Sequence, residues 1–224
     1  MNPDPALEQS LLHSYLTLRK LVGLLGTAFP FLLSIGAWIV FHTGLQASMS
    51  GYYYTGMRDV FVAVLCVIGF FLLFYRGNER KDDIAGDLAC VFAVGVALFP
   101  TAPEYPTPHE RWIGSVHLAF AALFFSTLTY FSLFLFTKTS PHRLPTRRKS
   151  QRNRVYRVCG CTMATCIVSM FALALLHGTV EPAVQAYRLV YWLEAIAVVA
   201  FGISWLTKGE AILKDPVEGA SPTR

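Results

Sequence analysis

The sequence predicts an all-α integral membrane protein, with six transmembrane helices in one bundle and both termini cytoplasmic. Three observations carry that expectation. Of 224 residues, 54% are hydrophobic and only 15% charged, against roughly 25% charged in an average soluble protein. The mean hydropathy is +0.46, and the apolar residues come as long, nearly charge-free runs rather than amphipathic stripes. The Lys and Arg residues are also unevenly placed, gathering in alternate loops.

Residues 1–20 form a polar or amphipathic lead-in ending in Arg19-Lys20, followed by the first run, 21–41. Its 21 residues make about 31 Å of helix, enough for a ~30 Å hydrocarbon core. It is too long for the apolar region of a signal peptide and has no Ala-x-Ala cleavage site, so it reads as retained. Gly26 and Pro30 are candidate kink positions.

The stretch Ser48-Met49-Ser50-Gly51-Tyr52-Tyr53-Tyr54-Thr55-Gly56-Met57-Arg58-Asp59 separates the first run from the second. Tyrosine rings are apolar and their hydroxyls want water, so three beside a charged doublet suit a membrane–water interface. The second run, 57–75, turns back through the charged loop 76–83. The third, 84–101, is rich in Gly, Ala and Val and is stopped by Pro100 and Pro103; small residues favour close helix approach inside a bundle. The fourth, 113–137, is dense in phenylalanine, and the fifth and sixth are 158–176 and 189–207. The tail, 208–224, reads as exposed and partly disordered.

Orientation follows from the basic residues. Arg19 and Lys20, three in the second loop, eight in 138–157 and three in the tail fall on one side. Only Arg58, Arg111 and Arg188 fall on the other. The positive-inside rule makes the first side cytoplasmic. The net charge of +5 is thereby accounted for by topology and anionic lipid headgroups rather than nucleic acid. Five cysteines lie in apolar runs with no C-x-x-C pair, which argues against a disulfide scaffold or zinc knuckle. G-x-G-x-x-G, P-loop, H-E-x-x-H and G-x-S-x-G patterns are absent, and whether the chain is an enzyme stays open.

Against this apolar background the candidate ligand-binding residues are Asp59, His117 and Glu194 with Tyr53, Tyr187 and Tyr191. Glu194 lies about six residues below Arg188, roughly 9 Å into its helix. A carboxylate at that depth costs about 2–3 kcal/mol unless it faces a partner or a watery cavity. Tyr187, Tyr191 and Glu194 are spaced i, i+4, i+7, one face of a continuous helix. His117 is flanked by Gly114, Ser115, Ala119 and Ala121, which leave room beside it. Asp59, at a helix start, either caps that helix or turns inward. The expectation is an outward-facing polar pocket that binds, senses or transports a small ligand, a proton or a lipid headgroup, with no obligatory cofactor. The alternative is a membrane-embedded lipid hydrolase holding a divalent metal on His117, Asp59 and His177. A third reading is a scaffold without a site. Membrane lipids are the expected partners, and an oligomer is compatible with everything above.

Ser48-x-Ser50-Gly-Tyr-Tyr-Tyr-Thr-Gly-Met-Arg58-Asp59-Val-Phe-Val, with Ala97-Leu-Phe-Pro100-Thr and His117, resembles a family of uncharacterised bacterial multi-pass membrane proteins, a domain of unknown function similar in layout to Frag/DRAM-type six-helix proteins. The resemblance covers most of residues 21–207 and implies a bacterial cytoplasmic membrane protein without an assigned activity. Ser50, Asp59 and His117 also resemble, more faintly, the Ser, Asp and His of the CREST membrane hydrolases, which include alkaline ceramidases. The paired His-x-x-x-His of that family's last helix is absent, and six spans stand in place of seven.

Overall fold

A computed structural model describes residues 4–77, 79–139 and 146–214, omitting the side chains of Pro5, Glu8, Leu12, His177, Gly178 and Thr179. The tail expected to be disordered is therefore described only as far as Lys214. Among the described residues the chain is helical, without strands. The elements are α1 (Pro5–Phe41), a 3-10 turn (Ser50–Tyr54), α2 (Arg58–Leu73), α3 (Arg80–Leu98), α4 (Pro108–Tyr130) continued by a π turn (Phe131–Leu135), α5 (Arg147–Leu175), α6 (His177–Ala186) and α7 (Leu189–Lys208).

Local chemistry explains the helix starts. Asp4 accepts the Ala6 N–H at 3.0 Å ahead of Pro5, so the lead-in and the first apolar run are one helix rather than two segments. At about 55 Å, α1 is far longer than a hydrocarbon core. Thr107 and Glu110 form a reciprocal capping box at α4. Thr146 accepts the Lys149 N–H at α5. The break before α7 was not expected. Arg188, at φ 51°, separates α6 from α7, so the segment between the fifth and sixth runs is helical and is set off from α7 by one left-handed residue.

Six helices close a ring in the order α1, α2, α3, α4, α5, α7 and back to α1, neighbours running antiparallel. Four of them are long and apolar enough to cross a membrane: α1 from Gln9, α4 with its π turn, α5 and α7. The other two fall short for definite reasons: α2 has 16 residues, and α3 opens with Arg80, Lys81, Asp82 and Asp83. The outer faces carry large exposed apolar side chains, among them Trp38, Phe74, Leu118, Phe134, Val168, Phe171 and Leu175. Apolar surface spread so widely belongs against lipid. The chain is a membrane-embedded helical protein.

Small residues set the closest crossings. α1 and α7 meet at Gly23 and Gly202, where an added Cβ would strike backbone atoms of the partner helix. Gly86 of α3 faces the Leu72 carbonyl of α2 in the same way. At the end of the ring holding Tyr75 and Trp205, the interior is aromatic. Trp205 is fully buried, its ring 5.1 Å from Tyr75, 5.2 Å from Phe136 and 5.6 Å from Phe131. The π turn displaces Ser132 so that its hydroxyl meets that of Ser204 at 2.8 Å. At the same end Lys138 bridges Glu79 and Asp82, both at 3.1 Å, fastening the start of α3 to the end of α4. Burial would pull the Lys138 ammonium down, but the two carboxylates outweigh it and hold it above the ordinary lysine value.

Candidate functional site

At the opposite end of the ring, the tyrosine-rich stretch lies across the bundle as a lid. It is fastened on three sides. The Tyr191 N–H donates to the Ala47 carbonyl at 3.1 Å, joining the start of α7 to the segment after α1. The Tyr54 hydroxyl donates to the Thr101 carbonyl at 2.6 Å, reaching the loop before α4. Arg58 Nε donates to the Tyr53 carbonyl at 2.8 Å, and its guanidinium lies 4.6 Å from the Tyr53 ring centre. Within the lid, Ser48 Oγ accepts the Gly51 N–H at 3.0 Å, closing a local turn. Burial pushes the Tyr52 phenol above its ordinary value, and burial does the same to Tyr54, assisted by Glu110.

Glu194 holds the underside of this lid. Its Oε2 accepts the Met49 N–H at 2.6 Å, and its Oε1 stands 3.5 Å from Ser50 Oγ, the limit of a hydrogen bond. No Lys, Arg or His lies within ion-pair distance of Glu194 among the described residues. Below the carboxylate is a cavity of about 40 Å³, roofed by Met49, Ser50 and Glu194 and otherwise walled by apolar side chains such as Phe29, Phe61, Phe124 and Phe201. That volume accepts a water molecule, for which roughly 10–15 Å³ suffices. The arrangement is one carboxylate, one backbone donor, one hydroxyl and an apolar chamber.

The expected site residues are distributed over several places. Tyr191 joins Glu194 at the lid: its ring centre is 6.3 Å from that of Tyr52, and its hydroxyl donates to the Pro30 carbonyl at 3.0 Å. Tyr187 precedes the break at Arg188 and is 70% exposed, so the three-residue face expected on α7 begins only at Tyr191. His117 is buried, with Nδ1 2.6 Å from the Phe99 carbonyl at the end of α3. That contact ties α4 to α3. Asp59 is exposed in the first turn of α2, where the helix dipole favours it, and lines a shallow groove with Tyr53, Arg58 and Ala97. Neither Asp59 nor His117 lines the Glu194 cavity. Of the metal set His117, Asp59 and His177, the His177 side chain lies outside the described residues. Among those described, no three His, Cys, Asp or Glu groups are gathered as ligands.

Sequence reasoning missed Met49, Ser50 and Tyr52 as the groups that meet Glu194 and Tyr191. Met49 contributes only its backbone N–H, which no side-chain pattern can reveal. The Ser48-x-Ser50-Gly51 turn chemistry was the available signal for a tight, inward-folded segment. The chain matches no family model, no curated protein and no solved structure.

Proposed function

We propose that this is a six-span membrane protein, both termini cytoplasmic, that binds a proton at Glu194 and reports it through the lid. One observation carries the proposal: a carboxylate inside the bundle, without a basic partner among the described residues, whose short hydrogen bond goes to the Met49 N–H of the lid. A charge placed there is costly, and taking up a proton removes that cost. The proton also changes the grip. An ionised carboxylate accepts charge-assisted hydrogen bonds roughly twice as strong as neutral ones. Neutralised, Glu194 holds Met49 and Ser50 less tightly, and the 48–55 segment loosens over its cavity. The titratable groups facing Glu194 are Tyr191 on its own helix and Tyr52 beside that ring.

Hydrogen exchange of the lid amides in purified protein tests this. Acidifying the wild type should lower lid protection beyond the intrinsic pH effect. Glu194→Gln should show the loosened state at every pH, about tenfold less protected, the equivalent of roughly 1.4 kcal/mol. Lid protection that ignores pH in the wild type would remove the proposal.

The closed ring of six helices supports the six-span count, because α2 and α3 take their places in it and turn Phe70, Leu88 and Val91 outward like the other four. The arginine and lysine distribution supports the orientation. The bacterial cytoplasmic membrane is the compartment the sequence resemblance implies. A reporter inserted in the basic loop 138–157 should read cytoplasmic, and an external reading would reverse the orientation.

A further inference from the structure

The end of the bundle away from the lid gathers four cations, three of them with no carboxylate within ion-pair distance among the described residues. Arg19 of α1, Lys149 and Arg152 of α5 and Lys208 of α7 converge there, the last within electrostatic reach of the other three. Gly209 draws them together, because its backbone packs directly on Arg19 and Lys20. The nearby carboxylates are largely engaged. Glu210 pairs with Arg152 at 3.6 Å, while Asp82 and Glu79 are bridged by Lys138. Among the described residues, no carboxylate lies within ion-pair distance of Arg19, Lys149 or Lys208.

Aromatic rings face the charged ends of these side chains. The Arg19 guanidinium is 4.2 Å from the Tyr15 ring centre and 5.4 Å from that of Tyr75. Lys208 Nζ is 5.1 Å from the Phe136 ring and Lys149 Nζ 5.9 Å from that of Tyr156. Ring faces attract a cation but take none of its hydrogen bonds along the chain of N–H donors. Lys149 spends one donor on the Phe136 carbonyl at 2.9 Å. Arg19 Nε is buried without an acceptor, as is the indole N–H of fully buried Trp205 in the same aromatic cluster. A helix C-terminus explains one cation, Lys208, through the dipole. It does not explain three from three helices, whose mutual repulsion must be offset.

We propose that Arg19, Lys149 and Lys208 form an anion site where α1, α5 and α7 meet, and that it takes a phosphate group. Phosphate fits the chemistry, since its several acceptor oxygens can receive a guanidinium and two ammonium groups together. The phosphate belongs either to an anionic lipid headgroup at the membrane surface or to a soluble phosphate compound. The site is independent of Glu194 and survives or fails separately.

Thermal unfolding of the full-length protein in neutral detergent distinguishes the sources. Mixed micelles with phosphatidylglycerol, mixed micelles with phosphatidylcholine, and inorganic phosphate with phosphatidylcholine are compared at constant ionic strength. Stabilisation only by phosphatidylglycerol identifies a lipid headgroup; stabilisation by inorganic phosphate identifies a soluble ligand. Lys208→Met keeps the stem on Phe136 and should weaken apparent affinity about tenfold, as the loss of one charge-assisted contact predicts. Lys149→Gln provides the second variant should Lys208→Met fail to fold. Exposed Arg148→Gln, on the same helix and end, should change nothing. Absence of stabilisation by every probe, or an equal loss in Arg148→Gln, overturns the proposal.

Discussion

Gly202→Leu is expected to prevent the native bundle from forming. At this crossing a Cβ on Gly202 would lie 2.5 Å from the Thr27 nitrogen and 2.7 Å from the Gly23 carbonyl oxygen. Both are backbone atoms, so no rotamer change relieves the clash. The reverse contact is equally tight, since a Cβ on Gly23 would lie 2.6 Å from the Leu206 nitrogen. The helices would have to separate along a seam that also carries Glu194, Tyr191 and Lys208 to their positions. Overpacking a core commonly costs about 1–3 kcal/mol, and immovable neighbours place this case at or above the upper end. Denaturant unfolding in detergent should show the midpoint collapse. Gly44→Leu is the matched control, because nothing lies within 4 Å of its added Cβ. Equal midpoints for Gly202→Leu and the wild type would show that α1 and α7 do not depend on this crossing.

Trp205→Ala should cost about 3–5 kcal/mol, the range for removing a large buried aromatic. Its indole is fully buried and meets Tyr75, Phe131 and Phe136 edge-on, joining α7 to the residues just past α2 and to the π turn with the residue that follows it. Trp205→Phe retains a ring and should lose clearly less. The same unfolding experiment reads both, and comparable losses for Ala and Phe would mean that ring packing is not what the site supplies. Such a result would also weaken the case for an aromatic frame around Arg19 and Lys208.

Much of the architecture was legible because apolar runs and loop charges are properties of composition along the chain. Helical class, the long apolar segments and the uneven basic residues needed no contacts. Helix ends were legible only in part. The capping signal of Asp4-Pro5 was present, yet a polar lead-in before an apolar run reads as a separate segment unless the cap is weighed. α6 was hidden because Pro182 and a short, mixed stretch give weak periodicity.

The candidate site was half legible. Glu194 was conspicuous because a carboxylate in an apolar run is expensive wherever it points. Its inward direction followed from that cost, but its company did not, because helical spacing assumed continuity through Arg188, where the backbone turns left-handed and Tyr187 leaves the face. His117 and Asp59 drew attention for the same reason as Glu194. Their surroundings differ: a carbonyl at the end of α3 for one, and an exposed first turn for the other.

Composition and charge order thus sufficed to establish a helical membrane protein, because those quantities add along the chain. Tertiary structure alone decided that the tyrosine stretch folds inward onto Glu194, and that Arg19, Lys149 and Lys208 converge. Both depend on a backbone N–H, a left-handed residue and helix crossings at glycine. These are relations between distant segments, and no local spacing encodes them.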